Sequence, residues 1–124
     1  MSLPGLDRWY RFIKSHDLAE LKAMLHPDVA FESPVVHTPQ RGADITFKYL
    51  ASAIKVLNGE SFRYLGDKGA VLEFATEIDG ITINGVDIIK FADDGRIVSF
   101  KVMVRPLKAI NLLHRLMGEQ LAMQ

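Results

Sequence analysis

The chain has no cysteine among its 124 residues, which excludes disulfides and thiolate metal sites and fits a reducing compartment. No apolar run approaches the ~20 residues that a membrane-spanning helix needs. The opening stretch MSLPGLDRWY lacks the apolar segment of a signal peptide, so a cytoplasmic protein without membrane contact is expected. Neither sign of charge is in excess. The 15 basic and 15 acidic residues cancel, leaving no net field to gather nucleic acid or an anionic membrane. Internal repeats, linkers and low-complexity segments are absent too. His16, His26 and His114 have no metal-ligand spacing, and neither a metal nor a cofactor is expected.

What is present is an ordinary globular composition, 48% hydrophobic and 24% charged, in a length that suits one domain spanning 1–124. Leu6, Trp9, Tyr10 and Ile13 recur at helical spacing and predict a one-sided helix. Asp17 with Glu20 resembles a capping box, opening a second helix whose Leu18, Leu21 and Leu25 share a face. His26-Pro27-Asp28 is expected to break it. Gly42-Ala43-Asp44 starts a third helix, apolar nearly all round and therefore packed on two sides, which Asn58-Gly59 ends.

From Ser61 onward the period becomes two. Phe62 and Tyr64 share a strand face; Leu72, Phe74, Thr76 and Ile78 share another. Asp79-Gly80 reads as a hairpin turn, after which Ile81, Ile83, Asp87, Ile89 and Phe91 are in phase. Asp93-Asp94-Gly95 reverses the chain again, and Val98, Phe100, Val102 and Val104 alternate with polar or outward residues. Pro106 opens a closing helix carrying Leu107, Ile110, Leu113 and Met117. Helices followed by an antiparallel meander define an α+β fold with a curved sheet wrapped on helices. Glu73 and Glu77 share an outer strand face, as do Lys101 and Arg105, and would form cross-strand pairs if those strands are neighbours.

Between the second and third helices lies VAFESPVVHTPQRG, Val29 to Gly42. Val29, Phe31, Ser33 and Val35 alternate with Ala30, Glu32 and Pro34, giving an apolar strand face interrupted by one hydroxyl before Pro34 and Pro39 end the strand. This stretch, with helices before it and a long helix after it, resembles the SnoaL-like branch of the nuclear transport factor 2-like superfamily. That superfamily includes ketosteroid isomerases, polyketide cyclases, limonene epoxide hydrolases and scytalone dehydratases. The resemblance runs from about Leu6 to about Arg105 and implies a cone-shaped, curved antiparallel sheet around N-terminal helices. These folds host many chemistries as well as plain binding.

Asp87 is the sharpest chemical signal. Its register places a carboxylate on an apolar strand face, where it either finds donors or keeps its proton, because desolvation raises its pKa. It lines a pocket, or else holds a turn or pairs with a buried Arg or Lys for structural reasons. Set against ketosteroid isomerases, the resemblance implies three correspondences. Their general-base Asp before a Pro falls at Ser33, their oxyanion-binding Asp at Asp87, and their oxyanion Tyr on the first helix at Trp9. A lone serine is a poor base and an indole N–H cannot cycle a proton, so ketosteroid isomerase activity is not expected.

The candidate catalytic residues are therefore Asp87, His37 and Ser33. His37 is either a base turned toward Asp87 or an exposed loop histidine. Trp9, Tyr49, Phe31, Phe74, Phe100 and Val102 are candidate ligand-binding walls, or simply core if the cone is filled. Three functions are open. One is a cofactor-free isomerase, cyclase or hydrolase-type enzyme acting on an apolar, oxygen-bearing substrate. Another is a non-catalytic binder of a small apolar molecule, and the last is a dimeric interaction domain. A homodimer is expected through the sheet's outer face, where Val86, Ile88 and Met103 fall.

Overall fold

The computed structural model describes residues 4–35, 38–68 and 70–123. Two helices come first, α1 (Pro4–Ser15) and α2 (Leu18–Met24), then strands β1 (Leu25–Glu32) and β2 (Gln40–Arg41). Helix α3 (Ala43–Leu57) precedes the meander β3 (Arg63–Lys68), β4 (Val71–Ile78), β5 (Ile81–Phe91) and β6 (Ile97–Arg105); α4 (Leu107–Ala122) closes the chain. The strands form one open sheet in the order β2-β1-β6-β5-β4-β3. The expected antiparallel meander is there, and β1 joins it in parallel beside β6, so the sheet is mixed. Among the described residues no helix is long and apolar enough to cross a membrane.

Local chemistry explains two of the boundaries. Asp17 caps α2, its Oδ1 accepting the Ala19 N–H at 3.0 Å. At the β4–β5 hairpin Asp79 (φ 52) and Gly80 (φ 77) both lie in the left-handed region, as a two-residue turn matching strand twist requires. Gly85 is needed for a different reason. A Cβ there would lie 2.5 Å from the Met103 carbonyl oxygen and 2.6 Å from the Phe74 ring, so the aromatic of β4 occupies the space a side chain would take.

Three local expectations are corrected. The second helix ends earlier than the His26-Pro27-Asp28 break: Leu25 is already strand, paired with Ile97, and is buried there and not on a helix face. In β6 a register shift pairs Lys90 with Ser99 but Phe91 with Ile97, leaving Val98 as the extra residue of a bulge. Ile97 therefore turns inward and is fully buried, while Val98 is half-buried. On α4 the inward residues are Ala109, Leu112 and Leu113, and Leu107 is 72% exposed.

Further register shifts between Tyr64 and Gly66 and between Leu25 and Ala30 help bend the sheet. Its inner side holds two apolar clusters. Trp9, Phe12, Phe31, Leu50 and Phe100 belong to one, beside α1–α3; Phe74, Ile83, Leu112 and Leu113 belong to the other, under α4. Because β5 lies between β4 and β6, Glu73 and Glu77 do not face Lys101 and Arg105. Glu73 instead accepts from the Asn84 amide at 3.0 Å, and Lys101 lies 3.9 Å from Glu32 across the β1–β6 boundary.

Candidate ligand pocket and the Asp87 hydrogen-bond chain

Strand β5 alternates Ile83, Gly85, Asp87 and Ile89 on the inner side of the sheet. Asp87 sits between its register partners Leu72 and Val102 and is 7% exposed. A carboxyl so placed needs a donor, and Tyr64 provides it from β3, two strands away. Its hydroxyl donates to Asp87 Oδ2 at 2.8 Å. The Tyr64 oxygen in turn accepts the Trp9 indole N–H at 2.9 Å. Tyr10 and Phe62 meet the Tyr64 ring edge-on, at centroid distances of 5.6 and 5.2 Å, and hold it in place.

The chain of bonds has one direction. An indole N–H only donates, so the phenol oxygen accepts from Trp9 and spends its single proton on Asp87. Burial pushes the Asp87 carboxyl up to about 7, against the opposing pull of the Tyr64 hydrogen bond. The Tyr64 phenol is likewise driven well above its ordinary value, first by burial and then by the negative charge Asp87 acquires when ionised. With its proton on, Asp87 accepts at Oδ2 and can donate from its other oxygen. Among the described residues Tyr64 is the hydrogen-bond partner of this side chain, so the carboxyl proton is the last donor of the chain.

The space beside Asp87 is small, about 30 Å³, walled by Trp9, Leu50, Tyr64, Phe74, Phe100 and Val102. That is room for about one water molecule. A larger compartment of about 220 Å³ opens where β1 ends, between α3 and α4. Phe31, Tyr49 and Val102 form its inner walls, Ser33 stands at the strand end, and α4 adds Leu113 and Met117. Ala53, Leu57 and Val102 line both spaces and form the partition between them.

The structure thus divides the residues expected at one site. Trp9, Phe74, Phe100 and Asp87 surround the small cavity; Phe31, Tyr49 and Ser33 line the larger one; Val102 faces both. Asp87 and Ser33 do not meet. The Ser33 hydroxyl accepts the Val35 N–H at 2.9 Å in a local turn. Tyr49 lies against Phe31, with ring centroids 5.5 Å apart. His37 lies outside the described residues.

Two groups of residues escaped the sequence reading. Tyr64 was visible only as an alternating strand residue, yet a phenol on an apolar strand face signals a need for a partner. The α4 contribution, which includes His114 and Gly118 at the rim, carried no local signal. An amphipathic helix shows which face it buries and not which cavity it closes. Among the described residues no cluster of His, Asp or Glu suited to a metal is present.

An open, curved six-stranded sheet with helices packed on its inner side is the architecture of the nuclear transport factor 2-like class. A protein of that class from Mesorhizobium loti, of unknown function, shares the fold at a TM-score of 0.65 with 18% identity, covering 82% of this chain and 88% of the other. Within the class, the chain belongs to the SnoaL-like domain family, whose profile matches residues 6–100. It is similar to the crystal structure of a steroid delta-isomerase from Pseudomonas aeruginosa at 38% identity and a TM-score of 0.88, over 98% of this chain and 96% of that one. It is also similar to an uncharacterised protein with a cystatin-like fold from Silicibacter pomeroyi, at 28% identity and a TM-score of 0.84, over 95% and 85% of the two chains. No protein of curated function matches it.

Proposed function

We propose that this SnoaL-like domain binds a small apolar molecule and fixes its oxygen with the proton of Asp87. The observation that carries the reading is the one-way chain Trp9→Tyr64→Asp87, which ends on a buried carboxyl whose proton, present below about pH 7, is its terminal donor. Neutral carboxyls donating in apolar sites are a known device for polarising carbonyl oxygens. A ketone is a suitable probe because its oxygen accepts and has no proton to give.

Binding of α-tetralone, a two-ring ketone, measured by calorimetry between pH 5.5 and 8.5 tests the reading. Affinity falls about tenfold per pH unit once Asp87 titrates above about 7, because only the protonated acid donates. Asp87→Asn keeps an N–H donor at every pH and flattens this profile, whereas Asp87→Leu binds weakly throughout. A wild-type profile as flat as that of the Asn variant would refute the reading.

A second reading, cofactor-free isomerisation, is favoured by the likeness to the steroid delta-isomerase. An acid poised at about 7 is able to give and take a proton. Against it stands Ser33, whose hydroxyl is engaged by the Val35 backbone and is a poor base. The readings separate on Asp87→Asn, which retains ketone binding under the first and abolishes turnover under the second. With a β,γ-unsaturated ketosteroid as substrate we expect no turnover by the wild type. Pairing of two copies across the outer sheet face is part of the proposal, supported by Val71, Val86, Ile88 and Met103, which the register sets side by side there.

A further inference from the structure

The larger compartment has features that bear on what it takes. Its described lining contains no Asp, Glu, Lys or Arg; Ser33, Tyr49 and His114 are its polar side chains. An ion entering it would lose hydration and meet no carboxylate, ammonium or guanidinium in the described lining, so the pocket favours uncharged molecules. Its volume of about 220 Å³ falls below the ~300–1,000 Å³ of pockets that hold drug-sized ligands. The rim is set in part by Gly118 of α4, where an added Cβ would meet nothing within 4 Å. A larger side chain at 118 has open space to extend into beside this lining.

We infer that this α4-capped pocket and the Asp87 cavity form one ligand site, divided by Ala53, Leu57 and Val102, whose occupant is an uncharged one- or two-ring ketone or alcohol and not a four-ring steroid. The ring body lies against Phe31 and Tyr49, and the oxygen-bearing edge passes the partition toward Asp87. The partition is made of aliphatic groups, Ala53 contributing only a methyl. Position 118 limits entry and position 53 limits passage. The assignment rests on the reading of Asp87 as a donor and extends it to the chemical class of the ligand.

The test compares α-tetralone, androstenedione and 2-naphthoate as probes of the wild-type protein and of Gly118→Phe and Ala53→Leu. Far-ultraviolet circular dichroism and thermal unfolding verify folding. Gly118→Phe alters an exposed helix position and is expected to fold. The expected result is that α-tetralone binds at least tenfold more tightly than either other probe, and that each substitution weakens its binding at least tenfold. Androstenedione or naphthoate binding as tightly as the ketone overturns the ligand class. If α-tetralone does not bind the wild type, the inference is overturned. If the pH profile of binding holds but both folded variants bind normally, the pocket assignment fails while the Asp87 reading stands. If the variants lose binding but the wild-type profile is flat, the donor reading fails and the pocket remains.

Discussion

At the residue scale the chemistry turns on how Asp87 shares its proton between the folded and unfolded states. Its carboxyl binds the proton more tightly when folded, with its pKa moving from 3.8 to about 7. The stabilising contribution of the neutral acid is fully present below pH 3.8, declines through the interval, and is lost once the folded carboxyl titrates near 7. At about 1.4 kcal/mol per pH unit, that interval amounts to something on the order of 4 kcal/mol. Asp87→Asn has no such slope. Urea unfolding at pH 4.5 and pH 8 should therefore show the variant gaining several kcal/mol on the wild type as pH rises; a constant difference would argue against a buried neutral acid. Tyr64→Phe removes Asp87's donor and leaves the Trp9 N–H without its acceptor. A loss of about 1–3 kcal/mol at pH 5 is expected, with the Asp87 titration followed by NMR moving higher, since the phenol holds it down. The inward placement of Asp87 was readable from period two. Its partner was not, because Tyr64 lies 23 residues away in sequence and two strands away in the sheet, and alternation says nothing about which strands become neighbours.

At the element scale two glycines make opposite predictions. Gly118 sits inside α4 with open space at its Cβ, so Gly118→Ala should stabilise the protein by about 0.5–1 kcal/mol through helix propensity alone. Gly85 sits under Phe74, so Gly85→Ala should destabilise by about 1–3 kcal/mol, as overpacked cores do. Chemical denaturation of the two variants beside the wild type decides both. The same scale shows where period-reading stops working. The hairpin at Asp79-Gly80 and the capping of α2 by Asp17 were legible because each is decided by the chemistry of adjacent residues. Leu25, Val98 and Leu107 were placed on the wrong element or face. A bulge shifts phase by one residue, and a pairing partner such as Ile97 can draw the end of a helical pattern into a strand. Neither event leaves a mark in the local spacing.

For the whole molecule, the bent sheet has two sides with different consequences. The inner side carries the clusters, the hydrogen-bond chain and the two spaces described beside Asp87 and α4. The outer side brings Val71, Val86, Ile88 and Met103 together across three strands, and Met103 is 52% exposed. Light scattering after size exclusion should give the mass of a dimer, and Met103→Lys should shift it toward monomer. A monomeric wild type would remove that part of the proposal. What the amino-acid order determined unaided was the α+β class, the presence of α3 and of the meander strands though not all their bounds, and a carboxyl turned toward an apolar face. All of these follow from periodicity and turn chemistry within a few residues. Only tertiary structure decided that β1 runs parallel beside β6, that Tyr64 and Trp9 reach Asp87, and that α4 closes a pocket separate from it. Those contacts join residues far apart in the chain, and they are selected by how the whole apolar surface is covered at once.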